Sequence, residues 1–188
     1  YNIEPGIVTE FGAVCVGQGL LEHEKAYLNW LDGVFARYPD LVIENCSSGG
    51  LRMDYALLSR YSIQSASDQE DYRNFATIAA NSPAGVTPEQ AAIWSYPMRQ
   101  GDKEEVIYNM VNSMLFRIHH SGHLAELPHE RLALVKEGIA CYKTIRQDIR
   151  QALPFWPLDI ADNEDLWVCG GLQLEKKAYL AVWKRQME

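Results

Sequence analysis

What most constrains this chain is the alternation of short apolar runs with amphipathic stretches. Leu41 to Asn45 and Tyr61 to Ser65 have the length and composition of buried strands, and residues at helical spacing flank them. In residues 22–37, Tyr27, Leu28, Leu31, Val34 and Phe35 fall at that spacing, and Pro39 stands just past the end. Asp54 to about Arg60 reads as a short helix, 69–80 as a longer one closed by Asn81-Ser82-Pro83, and 103–118 as helix followed by strand. Thr87-Pro88-Glu89-Gln90 carries a helix-start signature, Thr as cap and Pro at the first helical position, although Ala91 to Ser95 also fits a strand. Residues 128–151 form the clearest helix, with Leu132, Val135, Ile139, Tyr142 and Ile145 on one face. Such alternation predicts parallel βα units, whose chemistry gathers at the carboxyl ends of the strands. Beyond Pro154 the pattern changes: Leu166 to Gly171 and Ala178 to Trp183 alternate around turn residues, as a β-hairpin does.

A chain of 188 residues with 47% apolar content can bury a sizeable core. Its 17 basic and 25 acidic residues give a net charge of −8 with no basic stripe, which argues against nucleic acid as a partner. No window approaches the roughly 20 apolar residues of a membrane span, and the N-terminus lacks a basic-then-apolar signal pattern. Cys15, Cys46, Cys141 and Cys169 lie far apart with no C-x-x-C pair. That spacing speaks against a zinc ribbon or dense disulfide framework and suits a reducing, cytoplasmic compartment.

Three constellations carry candidate chemistry. Cys46-Ser-Ser-Gly49-Gly-Leu-Arg52 has the C-x5-R spacing of cysteine-dependent phosphatases, in which a thiolate attacks phosphorus while backbone N–H groups and an arginine fork hold the oxygens. Asn45 and Met53 stand where such enzymes carry a histidine and a hydroxyl, and a glycine-permitted turn with a buried cysteine is the plainer reading. His119, His120, His123, Glu126 and His129 offer zinc-type ligands, but Gly122 and Pro128 break the helix that would bring His119 and His123 together. We expect no metal and no cofactor. Ser67-Asp68 puts a carboxylate just past a strand end, where a general acid and base can act, whereas Glu70 and Asp71 suit the positive end of the following helix.

Taken together, Cys46-Ser-Ser-Gly49-Gly-Leu-Arg52-Met-Asp54 followed by Ser67-Asp68 resembles the C-x-x-G-x-G-R-x-D and S-D motifs of the α-galactosidases of glycoside hydrolase family 36. Tyr142-Lys143-Thr144-Ile145-Arg146 resembles that family's Y-K-x-I-R helix, and Ser121-Gly122-His123-Leu124 with Glu126-Leu127 its region near the last barrel strand. The likeness covers nearly the whole chain, and the order and spacing of its motifs make it specific. It implies an α/β fold: the second half of a (β/α)8 barrel, about strands five to eight, over residues 1–152, then the start of an antiparallel β-sandwich over 153–188.

By the same resemblance the complete protein is a retaining hydrolase of terminal α-galactosides. Asp68 is then the acid/base, Cys46 and Gly49 line the galactose pocket, and Asn2 contacts a sugar hydroxyl. The family's nucleophile belongs to a K-x-D-x-N motif of which Tyr1-Asn2 is the tail, so it is expected immediately before Tyr1, and this chain alone is expected to be inactive. The partners implied are an α-galactoside oligosaccharide and, for the full-length enzyme, further copies of itself. Two positions depart from the pattern. Leu51 stands where the family commonly has Gly, and Ser65 where it has an aromatic three positions before the acid/base, so a sugar-stacking wall is missing. A related α-glycoside, or transfer to an acceptor other than water, stays open. So do a cysteine phosphatase using Cys46 and Arg52, and a carbohydrate-binding module without catalysis.

Overall fold

The computed structural model describes residues 10–46, 50 and 52–185. Helix α1 (Gln18–Arg37) opens it, its first turn held by Glu10, whose carboxylate accepts from the N–H groups of Gly17 and Gly19 at 3.0 and 3.1 Å. The face predicted from Tyr27, Leu28, Leu31 and Phe35 packs with Leu57 and Tyr61. Arg60 ties the contact with a bidentate pair to Asp32 at 2.7 and 2.9 Å.

The sheet that follows is made of β1 (Glu44–Asn45), β2 (Ile63–Ser65), β3 (Ala91–Ser95) and β4 (Arg117–His120), paired in parallel and in sequence order. Helices α2 (Tyr55–Leu58), α3 (Tyr72–Asn81), α4 (Lys103–Ser113) and α5 (His129–Ile149) follow the strands in turn. Asp54, Asp71 and Asp102 start α2, α3 and α4 by accepting from backbone N–H groups of the first turn. The strand order steps the chain one place in the same direction each time, and with the right-handed sense general to such connections the helices collect on one face of the sheet and leave the other bare of helices.

The two faces can be told apart residue by residue. Ser95 Oγ donates to Met110 Sδ of α4 at 3.5 Å, so its neighbours Trp94 and Tyr96 lie on the opposite, bare face. The register pairs Trp94 with His119 and Ser65 with Ala92, which puts Ser65 and His119 on that face too. There His119 Nδ1 lies 3.5 Å from Glu44 Oε1. These residues belong to the outermost strands, about 14 Å apart in a flat sheet of ~4.8 Å spacings. The register also sets Glu44 level with Leu115, four residues short of His119. Their contact therefore requires a sheet that is strongly curved and staggered, with the bare face inside.

On the outer face Phe75, Ala76 and Ala79 of α3 cluster with Ile93, Leu115 and Phe116, and a second group of Val106, Met110, Leu127 and Val135 joins α4 to α5. Asn45 and Gln64 are buried but satisfied: Asn45 Nδ2 donates to Gln64 Oε1 at 2.6 Å, and Gln64 Nε2 to Ser65 O at 2.7 Å. Two expectations change. Leu41 and Val42, read as part of a buried strand, are 42% and 60% exposed because β1 is a two-residue edge strand. Thr87–Gln90 is a turn rather than a helix start, since the N–H groups of Gln90 and Ala91 both close on Thr87 O at 3.0 Å, and the apolar run after it becomes β3 between two neighbours.

The predicted hairpin is present as β6 (Trp167–Gln173) and β7 (Ala178–Lys184), joined by β5 (Leu153–Phe155) into a separate antiparallel sheet. This sheet is fastened to α3. Trp156 Nε1 donates to Ala80 O at 2.7 Å, Asn81 exchanges two hydrogen bonds with Ala161, and buried Arg185 donates to Thr77 Oγ1, Asp162 O and Asp165 O at 2.9, 2.5 and 2.7 Å. Arg185→Ala removes three hydrogen bonds, of whose acceptors Asp162 O keeps a long one from Thr77 Oγ1 at 3.4 Å, and is expected to cost about 2–4 kcal/mol. The loss should read as a lower urea midpoint at unchanged slope.

Candidate active site

Of the candidate residues of the sequence, Cys46 and Asp68 lie past the carboxyl ends of β1 and β2. Cys46 directly follows β1 and is exposed, so the reading of a buried structural cysteine does not hold: an edge strand leaves its end open to solvent. Gly49 and Asn2, with Ser47, Ser48 and Leu51, lie outside the described residues. Beyond the turn Asn45 Nδ2 donates to Arg52 O at 2.9 Å, drawing the returning chain back against β1.

Asp68 stands three residues past β2 on the exposed loop to α3. Neighbouring side chains hold that loop by its backbone. Ser67 Oγ accepts from Gln69 N–H at 3.1 Å, Gln69 Oε1 from Asp71 N–H at 2.9 Å, and Asp71 Oδ1 from the N–H groups of Arg73 and Asn74, both at 2.9 Å. Asp71 thus does the capping expected of it. Asp68 takes no part in the ladder, and among the described residues no hydrogen bond or ion pair engages its carboxylate. A carboxylate positioned through its neighbours, with its own oxygens unengaged, is suited to exchanging protons with a bound molecule.

The loop after β3 is braced more heavily than the one after β2. Tyr96 N–H donates to Asn109 Oδ1 at 2.8 Å and Met98 N–H to Glu105 Oε1 at 2.7 Å. Arg131, from α5, meets the other Glu105 oxygen at 2.7 Å and donates to Met98 O and Arg99 O at 2.5 and 3.0 Å. The Glu105 and Arg131 side chains are only 5% and 7% exposed. From the β4 side, Ser121 N–H donates to Ser95 O and His123 N–H to Pro97 O, at 3.0 and 2.9 Å. Glycines permit this close packing: a Cβ on Gly101 would sit 1.3 Å from Glu105 Oε2, and one on Gly122, at φ +72°, 2.6 Å from Pro97 O. On the concave face Trp94 and Tyr96 stack with ring centroids 5.5 Å apart and planes at 22°. Sequence reading passed over these residues. The alternation Trp94-x-Tyr96 before Pro97 was the available signal, whereas Glu105 and Arg131 give none locally.

The histidines do not converge. His119 turns to Glu44, and His123 Nδ1 accepts from Arg99 N–H at 3.2 Å. Among the described residues no group of three or more His, Cys, Asp or Glu side chains could hold a metal ion. His120 is exposed by area, yet the protein atoms around its imidazole partly desolvate it and hold its pKa below the ordinary value. Between the loops after β2 and β3 opens a cleft of ≈ 490 Å³, bordered by Glu70, Asp71, Tyr72, Met98, Gly101 and Glu105. The space between α3 and the second sheet is ≈ 10 Å³, room for a water and no sugar.

This arrangement, a parallel sheet in sequence order followed by a separate antiparallel one, is a fold shared with solved α-galactosidases, and the resemblance read from the motifs is borne out in three dimensions. The galactosidase domain of the α-galactosidase-sucrose kinase AgaSK matches with a TM-score of 0.71 at 22% identity, over 85% of this chain and 23% of its own. A doubly substituted family 36 α-galactosidase AgaA from Geobacillus stearothermophilus, solved with raffinose, matches at 0.72 and 17% identity, over 84% of this chain and 22% of its own. The Lactobacillus brevis α-galactosidase gives 0.67 at 16% identity, over 82% and 21%. The chain thus spans between a fifth and a quarter of the length of the proteins it matches. No protein-family model matches it, and no curated protein does. Among the described residues no helix is long and apolar enough to cross a membrane.

Two outcomes test this geometry. Arg131→Ala leaves Glu105 buried and unpaired and is expected to cost about 3–5 kcal/mol, more than replacing both residues with apolar ones of similar size; denaturant unfolding of the two variants and the parent compares them. For His120, a folded pKa below the unfolded value means that the unfolded chain binds more protons, so stability declines as pH falls through the ordinary histidine range near ~6.5. An NMR titration of the ring C–H signals should place its midpoint below that of an exposed histidine, and His120→Gln should flatten the decline.

Proposed function

We propose that this chain is part of a retaining α-galactosidase and that Asp68 is its acid/base. The observation that carries this reading is that Cys46 and Asp68 follow two adjacent parallel strands, registered Glu44 with Ile63 and Asn45 with Gln64. The two motif-bearing loops therefore leave the sheet at one edge, within a fold shared with α-galactosidases. Residues 1–152 are read as the second half of a (β/α)8 barrel and 153–188 as the opening of a β-sandwich. The curvature and stagger demanded by the Glu44–His119 contact support a closing sheet, as does the sequential strand order without a switch point. The outer edges of β1 and β4, and exposed Leu41 and Val42, are where the remaining strands and helices would join.

In this mechanism a second carboxylate, from a segment outside the 188 residues, attacks the anomeric carbon about 5–5.5 Å from Asp68. Asp68 gives its proton to the glycosidic oxygen as the bond breaks, leaving a covalent galactosyl-enzyme. Its carboxylate then takes a proton from water, whose oxygen displaces the enzyme and restores the original configuration. Cys46, Gly49 and Asn2 would line the galactose pocket, Cys46 as a neutral thiol. Among the described residues no disulfide joins Cys15, Cys46, Cys141 or Cys169, which suits a reducing cytoplasm.

The complete enzyme, this chain joined to the segment carrying the nucleophile, is expected to hydrolyse an aryl α-galactoside with retention. Asp68→Asn should lower kcat/KM by about 10²–10⁴ on a substrate with a poor leaving group. Azide should restore turnover by Asp68→Ala on an activated substrate, as α-galactosyl azide. The isolated 188-residue chain should turn over nothing, and robust hydrolysis by it would overturn the assignment of the nucleophile.

A further inference from the structure

We propose that Tyr96, backed by Trp94, is the stacking wall for the leaving-group sugar. This inference rests on the reading of Asp68 as acid/base and extends it to the opposite side of the scissile bond. An acid/base sits between the galactose it releases and the group it protonates. In the sheet β2, which carries Asp68, lies between β1, whose end bears Cys46 of the galactose pocket, and β3, which leads into Tyr96. The side of Asp68 away from the galactose pocket is thus the side of β3.

The residues there have the form of a sugar platform. Trp94 and Tyr96 occupy alternate positions on the concave face and stack at 5.5 Å, with Tyr96, just past the end of β3, the ring nearer the carboxyl edge of the sheet. Both rings are half-buried, which leaves aromatic surface at the mouth. A pyranose presents an apolar face of C–H groups that packs on such a ring. Ser65, where the aromatic is missing, lies on the same concave face one strand away, so the wall has moved to the neighbouring strand.

The bracing gives the second argument. Tyr96 N–H is held by Asn109, and the residues after it are clamped by the buried Glu105–Arg131 pair and by His123 N–H on Pro97 O. So much buried hydrogen bonding spent on one surface loop fixes the ring before any ligand arrives, which lowers the entropy lost on binding. Tyr96 is a specificity residue here; Glu105, Arg131 and Asn109 are positioning residues.

The test compares two substrates of the complete enzyme: galactose α-linked to glucose, and α-galactosyl fluoride, whose leaving group has no ring to stack. Tyr96→Ala and Tyr96→Leu should raise KM and lower kcat/KM about tenfold for the disaccharide, and leave the fluoride within about twofold. Tyr96→Phe should preserve both activities. Equal losses on both substrates, or no loss on either, would overturn the proposal; Tyr96→Leu keeps an apolar side chain beside Trp94, so a folding defect of Tyr96→Ala does not decide the matter. A parent enzyme inactive on both substrates would instead refute the α-galactosidase reading itself.

Discussion

The carboxyl edge of the sheet depends on one buried ion pair, Glu105 with Arg131. Taking two charges out of water is costly, and their attraction offsets that cost the better the more of the remaining donors and acceptors are engaged. Here Glu105 also accepts from Met98 N–H and Arg131 also donates to the carbonyls of Met98 and Arg99, which leaves Arg131 Nε as a buried donor without a partner among the described residues. The pair sits where α4 meets α5, so the same contact that joins two helices also sets the path of the chain leaving β3. Through Pro97 and His123 it reaches the loop after β4 as well. Gly101 completes the arrangement by omission, since any side chain there would occupy the space of the Glu105 carboxylate.

The second organising constraint is the curl of the sheet. Apolar residues of the strands, such as Ile93, point to the helices, and the concave side carries Glu44, Ser65, Trp94 and His119. That division follows from sequential, same-handed crossovers, which place every helix on one side. A concave surface that is not needed for helix packing is free to hold polar and aromatic groups. Past the ends of two adjoining strands stand an unengaged carboxylate, on the loop after β2, and a supported aromatic ring, on the loop after β3.

The strand–helix alternation was legible because it is written in local periodicity, and the α1 face formed by Tyr27, Leu28 and Leu31 packs as its spacing predicts. The buried depth of Leu41 and Val42 was not, because burial of an apolar run depends on whether neighbours flank it on both sides, which is a property of the sheet. Thr87–Gln90 misled for a related reason: a Thr-Pro pair opens turns as readily as helices, and pairing of Ala91–Ser95 with β2 and β4 decided between them. Among the candidate site residues, Asp68 was singled out through its motif. The Glu105–Arg131 clamp was not found, since it links residues 26 apart through backbone carbonyls of a third segment. No spacing rule encodes such a contact.

Helix α3 begins four residues after Asp68 and is gripped along its far side by the second sheet, through Trp156 on Ala80, Asn81 with Ala161, and Arg185 on Thr77. The antiparallel sheet therefore works as a splint on the helix that the Asp68 loop enters. With Asp68 in the role proposed for it, loosening that layer is expected to slow proton transfer as well as to lower stability, without altering a single residue of the loop itself.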